Sequence, residues 1–246
     1  MTVLCLAASA VARNIELPKQ GLGIQIGWSQ PIVRLNSPTN PSTAKDSLSN
    51  IVHLNGFKVG VVYDASYIAG FGSTMGINYT FGISQGRWEA INPKYNQYPR
   101  SRTIISYHQV ELFVDWQYKF EIAKETYLML YTGPTLQCGL EMQMRSDTQK
   151  EDYTTGDITT ERGIWNSAYK TEAENESIRR LNVTWGVGAG FQYKRYFLRG
   201  GYDFGLINPY SHRQFVDAAG QTIDQYTRGR IDQWNVRLGI YLWYKD

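Results

Sequence analysis

Met75-Gly-Ile-Asn-Tyr-Thr-Phe-Gly-Ile-Ser84 changes character at every residue. Met75, Ile77, Tyr79, Phe81 and Ile83 are apolar or aromatic, whereas Gly76, Asn78, Thr80, Gly82 and Ser84 are small or polar. Successive side chains of a strand point to opposite faces, so this stretch is a strand with one greasy side and one polar side.

The same alternation recurs upstream. Leu22, Ile24, Ile26 and Trp28 oppose Gly23, Gln25, Gly27 and Ser29. Phe57, Val59, Val61, Tyr63 and Ala65 oppose Lys58, Gly60, Asp64 and Ser66, with Val62 out of pattern. Downstream, Val110, Leu112, Val114, Trp116, Tyr118 and Phe120 oppose Gln109, Glu111, Asp115, Gln117 and Lys119, with Phe113 the exception. A fifth segment, Tyr127 to Gln143, sets Leu128, Leu130, Leu136, Cys138, Leu140 and Met142 against Gly133, Thr135, Gln137, Gly139 and Glu141. Pro134 within it lacks the N–H that a closed ladder needs, which implies a bulge or a rim position.

Three more segments complete the series. Leu181, Val183, Trp185, Val187, Ala189 and Phe191 alternate with Asn182, Thr184, Gly186, Gly188, Gly190 and Gln192. Leu198, Tyr202, Phe204 and Leu206 alternate with Arg199, Gly201, Asp203 and Gly205. Trp234, Val236, Leu238, Ile240, Leu242 and Tyr244 alternate with Asn235, Arg237, Gly239, Tyr241 and Trp243. Short turns are expected at 69–72, 122–126 and 193–196, and long polar loops at about 34–55, 85–106, 144–180 and 208–232. Strict alternation of short and long connections is the mark of an up-and-down transmembrane barrel, whose long loops lie outside the cell.

Two rivals fit alternation alone. A soluble eight-stranded barrel would turn its polar face to water, yet that face here is mostly Gly, Asn, Gln, Ser and Thr instead of Lys and Glu. Aromatic residues also gather near the strand ends of the apolar face, with Trp28, Trp185 and Trp234 on the loop side and Tyr118, Phe120, Phe191, Tyr196 and Tyr244 on the turn side. Such girdles mark two membrane interfaces. A spanning helix is the other rival, and no run of about 18 apolar residues supplies one.

Composition narrows the function classes. A formal charge of +3, with basic and acidic residues interspersed, excludes a nucleic-acid surface. The only cysteines, Cys5 and Cys138, rule out a disulfide framework. Val3 to Ala12 reads as the apolar core and small-x-small cleavage site of a signal peptide over residues 1–12, leaving residues 13–246 as a single barrel domain. The expected location is therefore the bacterial outer membrane.

The inward face carries Lys58, Lys119, Arg199 and Arg237 with Asp64, Glu111, Asp115, Glu141 and Asp203 as partners. An eight-stranded barrel is only wide enough for side chains to fill it, and buried charges must pair, so a plugged lumen follows. Gly186, Gly188 and Gly190 fall on that face with no helix after them, which makes them room for larger lumen residues and not a nucleotide loop. His53, His108 and His212 are dispersed without metal-ligand spacing, so no metal or cofactor is expected.

Several stretches resemble the OmpX-like and PorT-like outer-membrane barrel families. Val110-Glu-Leu-Phe-Val-Asp-Trp-Gln-Tyr-Lys-Phe120 is similar to their central strand, Leu130-Tyr-Thr-Gly-Pro-Thr-Leu136 to the strand after it, and Trp185-Gly-Val-Gly-Ala-Gly-Phe191 to the glycine-rich strand near the end. The last strand, with Arg237, Gly239, Leu242 and Tyr244, resembles the C-terminal signal read by the barrel-assembly machinery, although Lys245 and Asp246 follow its last aromatic. The resemblance implies a non-enzymatic barrel embedded in outer-membrane lipid that presents loops or surface to a partner, in a secretion, adhesion or envelope role. Two alternatives stand beside it. One is a small-solute or proton channel, and the other is a lipid-modifying enzyme using Ser106, His108, Ser211 and His212 at the outer rim.

Overall fold

The structure, a computed structural model, describes residues 20–36, 51–68, 70–91, 99–152, 154–169, 179–209, 213–216, 222–225 and 228–245. Eight strands form the barrel: β1 (Gln20–Asn36), β2 (Gly56–Ile68), β3 (Phe71–Gln85), β4 (Arg100–Ala123), β5 (Thr126–Glu151), β6 (Leu181–Tyr193), β7 (Tyr196–Gly205) and β8 (Arg228–Lys245). Each pairs antiparallel with its neighbours in sequence. β1 and β8 close the ring from Gln20↔Lys245 to Asn36↔Arg228. No edge is left among the eight, as a strand wall inside a bilayer requires.

At the turn side β4 and β5 are joined through Lys124 and Glu125, and β6 and β7 through Lys194 and Arg195. Glu125 (φ 56°) and Lys194 (φ 53°) occupy the left-handed region, as does Gly70 (φ 90°) between β2 and β3. These tight connections match the expected turns. The expected leader over residues 1–12 lies outside the described residues, as do Ser211 and His212, and nothing is described of the side chain of Tyr244.

Two strands are far longer than the alternation suggests. β4 has 24 residues and β5 has 26, whereas about 9–11 tilted residues cross a bilayer. Much of the stretches read as loops, 85–106 and 144–180, is therefore sheet: Arg100 to Ser106 pairs with Gln143 to Gln149. Glu89–Ala90 adds to the β4 edge, and Ile158–Glu161 and Asn166–Ser167 add to the β5 edge. The hairpin thus rises from the barrel as a sheet on the loop side. Two further short pieces, Ile51–His53 on β1 and the hairpin of Arg213–Val216 with Thr222–Gln225, lie in other long connections.

The irregularities fall in unexpected places. Pro134 causes neither a bulge nor a rim position. It faces outward in mid-strand opposite Trp185, and the β4–β5 ladder skips a step beside it while keeping register on both sides. Gly133 makes this tolerable, because a Cβ there would come within 2.8 Å of Asp115 Cα. The bulge lies higher, where Gln109 pairs with Gly139 but His108 with Glu141, leaving Leu140 as the extra residue. One extra residue reverses the faces beyond it. Met142, expected outside, is therefore buried inside, and Glu141, expected in the lumen, is exposed. A second bulge at Leu242 does the same to Trp243, which was assigned to the interior and is 48% exposed.

Away from these bulges the outward face is an unbroken apolar belt that includes Ile24, Ile26, Ile77, Leu112, Val187, Leu198 and Leu238, all exposed to the barrel's surroundings. A belt of this extent on every strand has no place in water and fits the hydrocarbon of a bilayer. Leu112→Arg is expected to cost about 2–4 kcal/mol of folding stability in phospholipid vesicles, the penalty of an arginine near the midplane. Urea titration of the refolded barrel checks it, and a neutral outcome would remove Leu112 from the lipid face.

Candidate functional site: the filled lumen and its outer cap

Turned inward by alternation, the polar residues meet in three layers. Nearest the short turns, Asp64 accepts hydrogen bonds from Lys119 Nζ, Gln117 Nε2 and Tyr241 Oη, each at 2.6 Å. In the middle, Asp115 accepts from Arg199 Nη2 at 3.0 Å and lies 3.7 Å from Arg237 Nη2. Both guanidiniums lie over the ring of Tyr131, at 4.1 and 5.7 Å, and Arg237 also lies over Phe113 at 4.9 Å. Asp203 accepts from Asn235 Nδ2 at 2.9 Å.

The third layer is centred on Glu111. Lys58 Nζ donates to it at 2.6 Å, Gln109 Nε2 at 2.8 Å and Gln233 Nε2 at 3.1 Å. Amides extend the network: Gln25 donates to Asn78 at 2.6 Å, and Asn182 to Gln137 at 2.8 Å. Lys58, Lys119, Arg199, Arg237, Asp64, Glu111, Asp115 and Asp203 are all buried, so the interior holds as many cations as anions from this set. Glu141 is the one residue of the expected network that stands apart from it, bonded instead to Gln143 on the outer side.

Glycines give these side chains their space. A Cβ at Gly201 would lie 2.6 Å from Tyr131 Oη, and one at Gly186 would lie 2.5 Å from Asp203 Oδ1. Apolar packing fills the remainder of the lower lumen, where Val62, Phe113, Met129, Phe197 and Tyr241 form one cluster. Among the described residues, paired charges and packed rings fill this interior and tie the wall together.

Towards the outer mouth lies a second apolar cluster that sequence reading missed. Val33, Leu54, Ile105, Tyr107, Met142 and Ala168 pack together there, with Tyr169 and Ile231 against them. Ala168 N–H donates to Met142 O at 2.8 Å, which carries the Asn166–Ser167 pairing on β5 down to the cluster. Arg180 Nη1 donates to Leu140 O at 2.6 Å and its guanidinium lies 4.8 Å over the Tyr169 ring. Burial raises the Tyr169 phenol above its usual pKa in spite of that neighbouring cation. No periodic signal announced the cap, because Leu54 and Ala168 belong to connections between strands and Met142 reaches it only through the Leu140 bulge.

On the outside, Trp28, Phe120, Trp185, Phe191, Tyr196 and Trp234 are exposed and Tyr118 is partly so. Trp185 also donates from Nε1 to Thr132 Oγ1 at 2.8 Å and packs on Trp116 at 5.8 Å. Of the residues resembling an assembly signal, Arg237 is in the lumen, Gly239 lies against Phe197, and Leu242 is at the bulge. Ser106 and His108 share the outer face of β4, and the ring partner of His108 is Tyr79 Oη at 2.7 Å, not a carboxylate. Among the described residues no group of three His, Cys, Asp or Glu side chains is placed to hold a metal.

Residues 21–210 match the sequence model of the outer membrane protein beta-barrel domain family. The chain belongs to that family. As an outer-membrane β-barrel it lies in the bacterial outer membrane, and its eight-stranded antiparallel ring is the architecture expected from the alternation. Solved structures similar to this outer-membrane barrel include Ail, the attachment invasion locus protein of Yersinia pestis, at 11% identity over 91% of this chain and 99% of that one, with a TM-score of 0.38. Neisserial surface protein A is also 11% identical, over 90% and 97% of the two chains, with a TM-score of 0.37. The N-terminal barrel of Pseudomonas aeruginosa OprF is 8% identical over 90% and 99%, with a TM-score of 0.28. No curated protein matches the chain.

Proposed function

We propose that this outer-membrane barrel is a non-enzymatic scaffold whose working part is the sheet it raises outside the cell for a protein partner. The occupied lumen carries this reading: paired charges and an apolar cluster fill the interior formed by the described residues, so function is assigned to the surface. The raised sheet offers apolar anchors to water, with Ile164 82% exposed and Ile158 and Trp165 beside it also exposed. Large apolar and aromatic side chains standing clear of a membrane are the usual nuclei of protein interfaces. On its way to the membrane the chain would be handled by the barrel-assembly machinery through β8.

Two measurements test the proposal. Purified protein in planar bilayers is expected to give no conductance steps, and regular steps would favour the channel reading. A photo-cross-linker at Ile164 on intact cells is expected to capture a discrete protein adduct that Trp165→Ala weakens. Capture of nothing above background would remove the partner.

A further inference from the structure

The membrane-facing side of β1 to β4 bears a recess, and we propose that it holds one lipid with a net-anionic phosphate headgroup from the outer leaflet. A single cross-strand row, Trp28↔Phe57↔Phe81↔His108, sets its lower wall, because these four residues are register partners on adjacent strands. Ile83 and Ser106, paired one step further towards the loop side, continue it upward. Asn55 completes a hollow of about 440 Å³, within the size range of small-ligand pockets.

Its polar groups are what set it apart from the rest of the belt. Tyr79 Oη engages Nδ1 of His108 and thereby fixes the ring, leaving Nε2 without a hydrogen-bond partner among the described residues. Ser106 Oγ has no hydrogen-bond partner among the described residues. The Asn55 side chain makes one long contact, accepting from Gln30 at 3.5 Å. An imidazole nitrogen, a hydroxyl and an amide without firm partners are unfavourable facing hydrocarbon alone and are satisfied by a headgroup.

Charge favours an acidic headgroup. The same face of β4 continues from His108 and Ser106 through Ile104 to Arg102, roughly 13 Å along the strand from Ser106 at about 3.3 Å per residue. There Arg102 and Arg145 share the single carboxylate of Asp147, at 3.3 and 3.0 Å, and stack on Trp88 and Trp165. That leaves one net positive charge at the shelf, while Glu141, the register partner of His108 on the outer side, is held by the Gln143 amide. The ordering along the face is acyl wall, hydrogen-bonding rim and cationic shelf, which is also the ordering of an anionic lipid. The recess is continuous with the belt that lies against the bilayer, so a lipid reaches it by lateral diffusion.

The test uses the full barrel in phosphatidylcholine bilayers with spin-labelled phosphatidylglycerol or spin-labelled phosphatidylcholine as probe. Wild type is expected to immobilise the anionic probe about tenfold better, the ratio that one charge-assisted hydrogen bond supports. Ser106→Trp, which fills the recess, should bring the ratio to parity, and His108→Ala should lower it without filling anything. Val236→Trp, on the lipid face of β8, should leave it unchanged. Equal immobilisation of the two probes by wild type, or equal loss in Ser106→Trp and Val236→Trp, would mean an ordinary lipid annulus and overturn the proposal. A photo-cross-linker at Ser106 in native outer membranes should yield a lipid adduct, and a protein adduct would overturn it too. If Ser106→Trp does not fold, Asn55→Ala and His108→Ala carry the same comparison.

Discussion

Replacing Asp115 by alanine is expected to cost the barrel about 3–5 kcal/mol of folding free energy, the penalty for stripping a buried cation of its partner. Asp115 is the carboxylate against which both Arg199 and Arg237 rest, at 3.0 and 3.7 Å, and all three side chains are nearly inaccessible. Cation–π contacts to Tyr131 and Phe113 soften the environment but do not neutralise it. Sharing has a specific consequence for rescue. Arg199→Met added to Asp115→Ala still leaves Arg237 uncompensated, so only the triple variant with Arg237→Met should regain most of the loss. Gel-shift titration with urea in vesicles reads each variant. A cost below about 1 kcal/mol, the value of an exposed ion pair, would mean that the lumen is wet enough to screen its charges.

Asp64→Ala should be as damaging by a different route, again about 3–5 kcal/mol. Its carboxylate serves an ammonium, an amide and a phenol at once, from Lys119, Gln117 and Tyr241. Removal strips the Lys119 charge and the Gln117 amide of this acceptor and takes one partner from the Tyr241 phenol, and an unmet neutral donor costs roughly 1–3 kcal/mol by itself. Lys119→Met in the same chain should therefore recover only the part due to charge. Asp64→Asn separates the contributions further, since it keeps an acceptor but not the ion pair. The same titration would find the asparagine variant intermediate, and wild-type stability in that variant would show that the charge is immaterial.

Much of the barrel was legible because a period of two is a strong signal where one face meets lipid and the other meets polar side chains. Met75 to Ser84 carries it without interruption and Gln109 to Phe120 with only Phe113 out of pattern, and both are strands at the expected facing. Legibility failed where the physics behind the signal changes. Arg100 to Ile105 and Met144 to Glu151 lie beyond the apolar belt, and Ile104, Ile105 and Asp147 there are buried by neighbouring segments and not by lipid, so no lipid face enforces an apolar stripe. Leu140 and Leu242 are each one residue too many, and a bulge is chosen by the fit of two strands, which alternation within one strand does not record. Pro134 misled in the opposite direction, since Gly133 lets β4 close up beside it without a change of register. Eight of the lumen charges were placed by alternation alone, and the ninth, Glu141, lies just past a bulge.

The Leu140 bulge divides the β4–β5 hairpin into two independent reading frames. Below it the facing of every residue is locked to a bilayer and a packed interior, so insertions and deletions of single residues are ruinous. Above it the frame has already been reset, and past Ile105, Tyr107 and Met142, which pack in the apolar cluster at the mouth, the hairpin is released from the facing rule of the wall. Variation can accumulate in the upper half, in length as well as in side chains, without passing the shift down into the wall. A surface protein built this way can change its face to the outside world while its membrane portion stays the same.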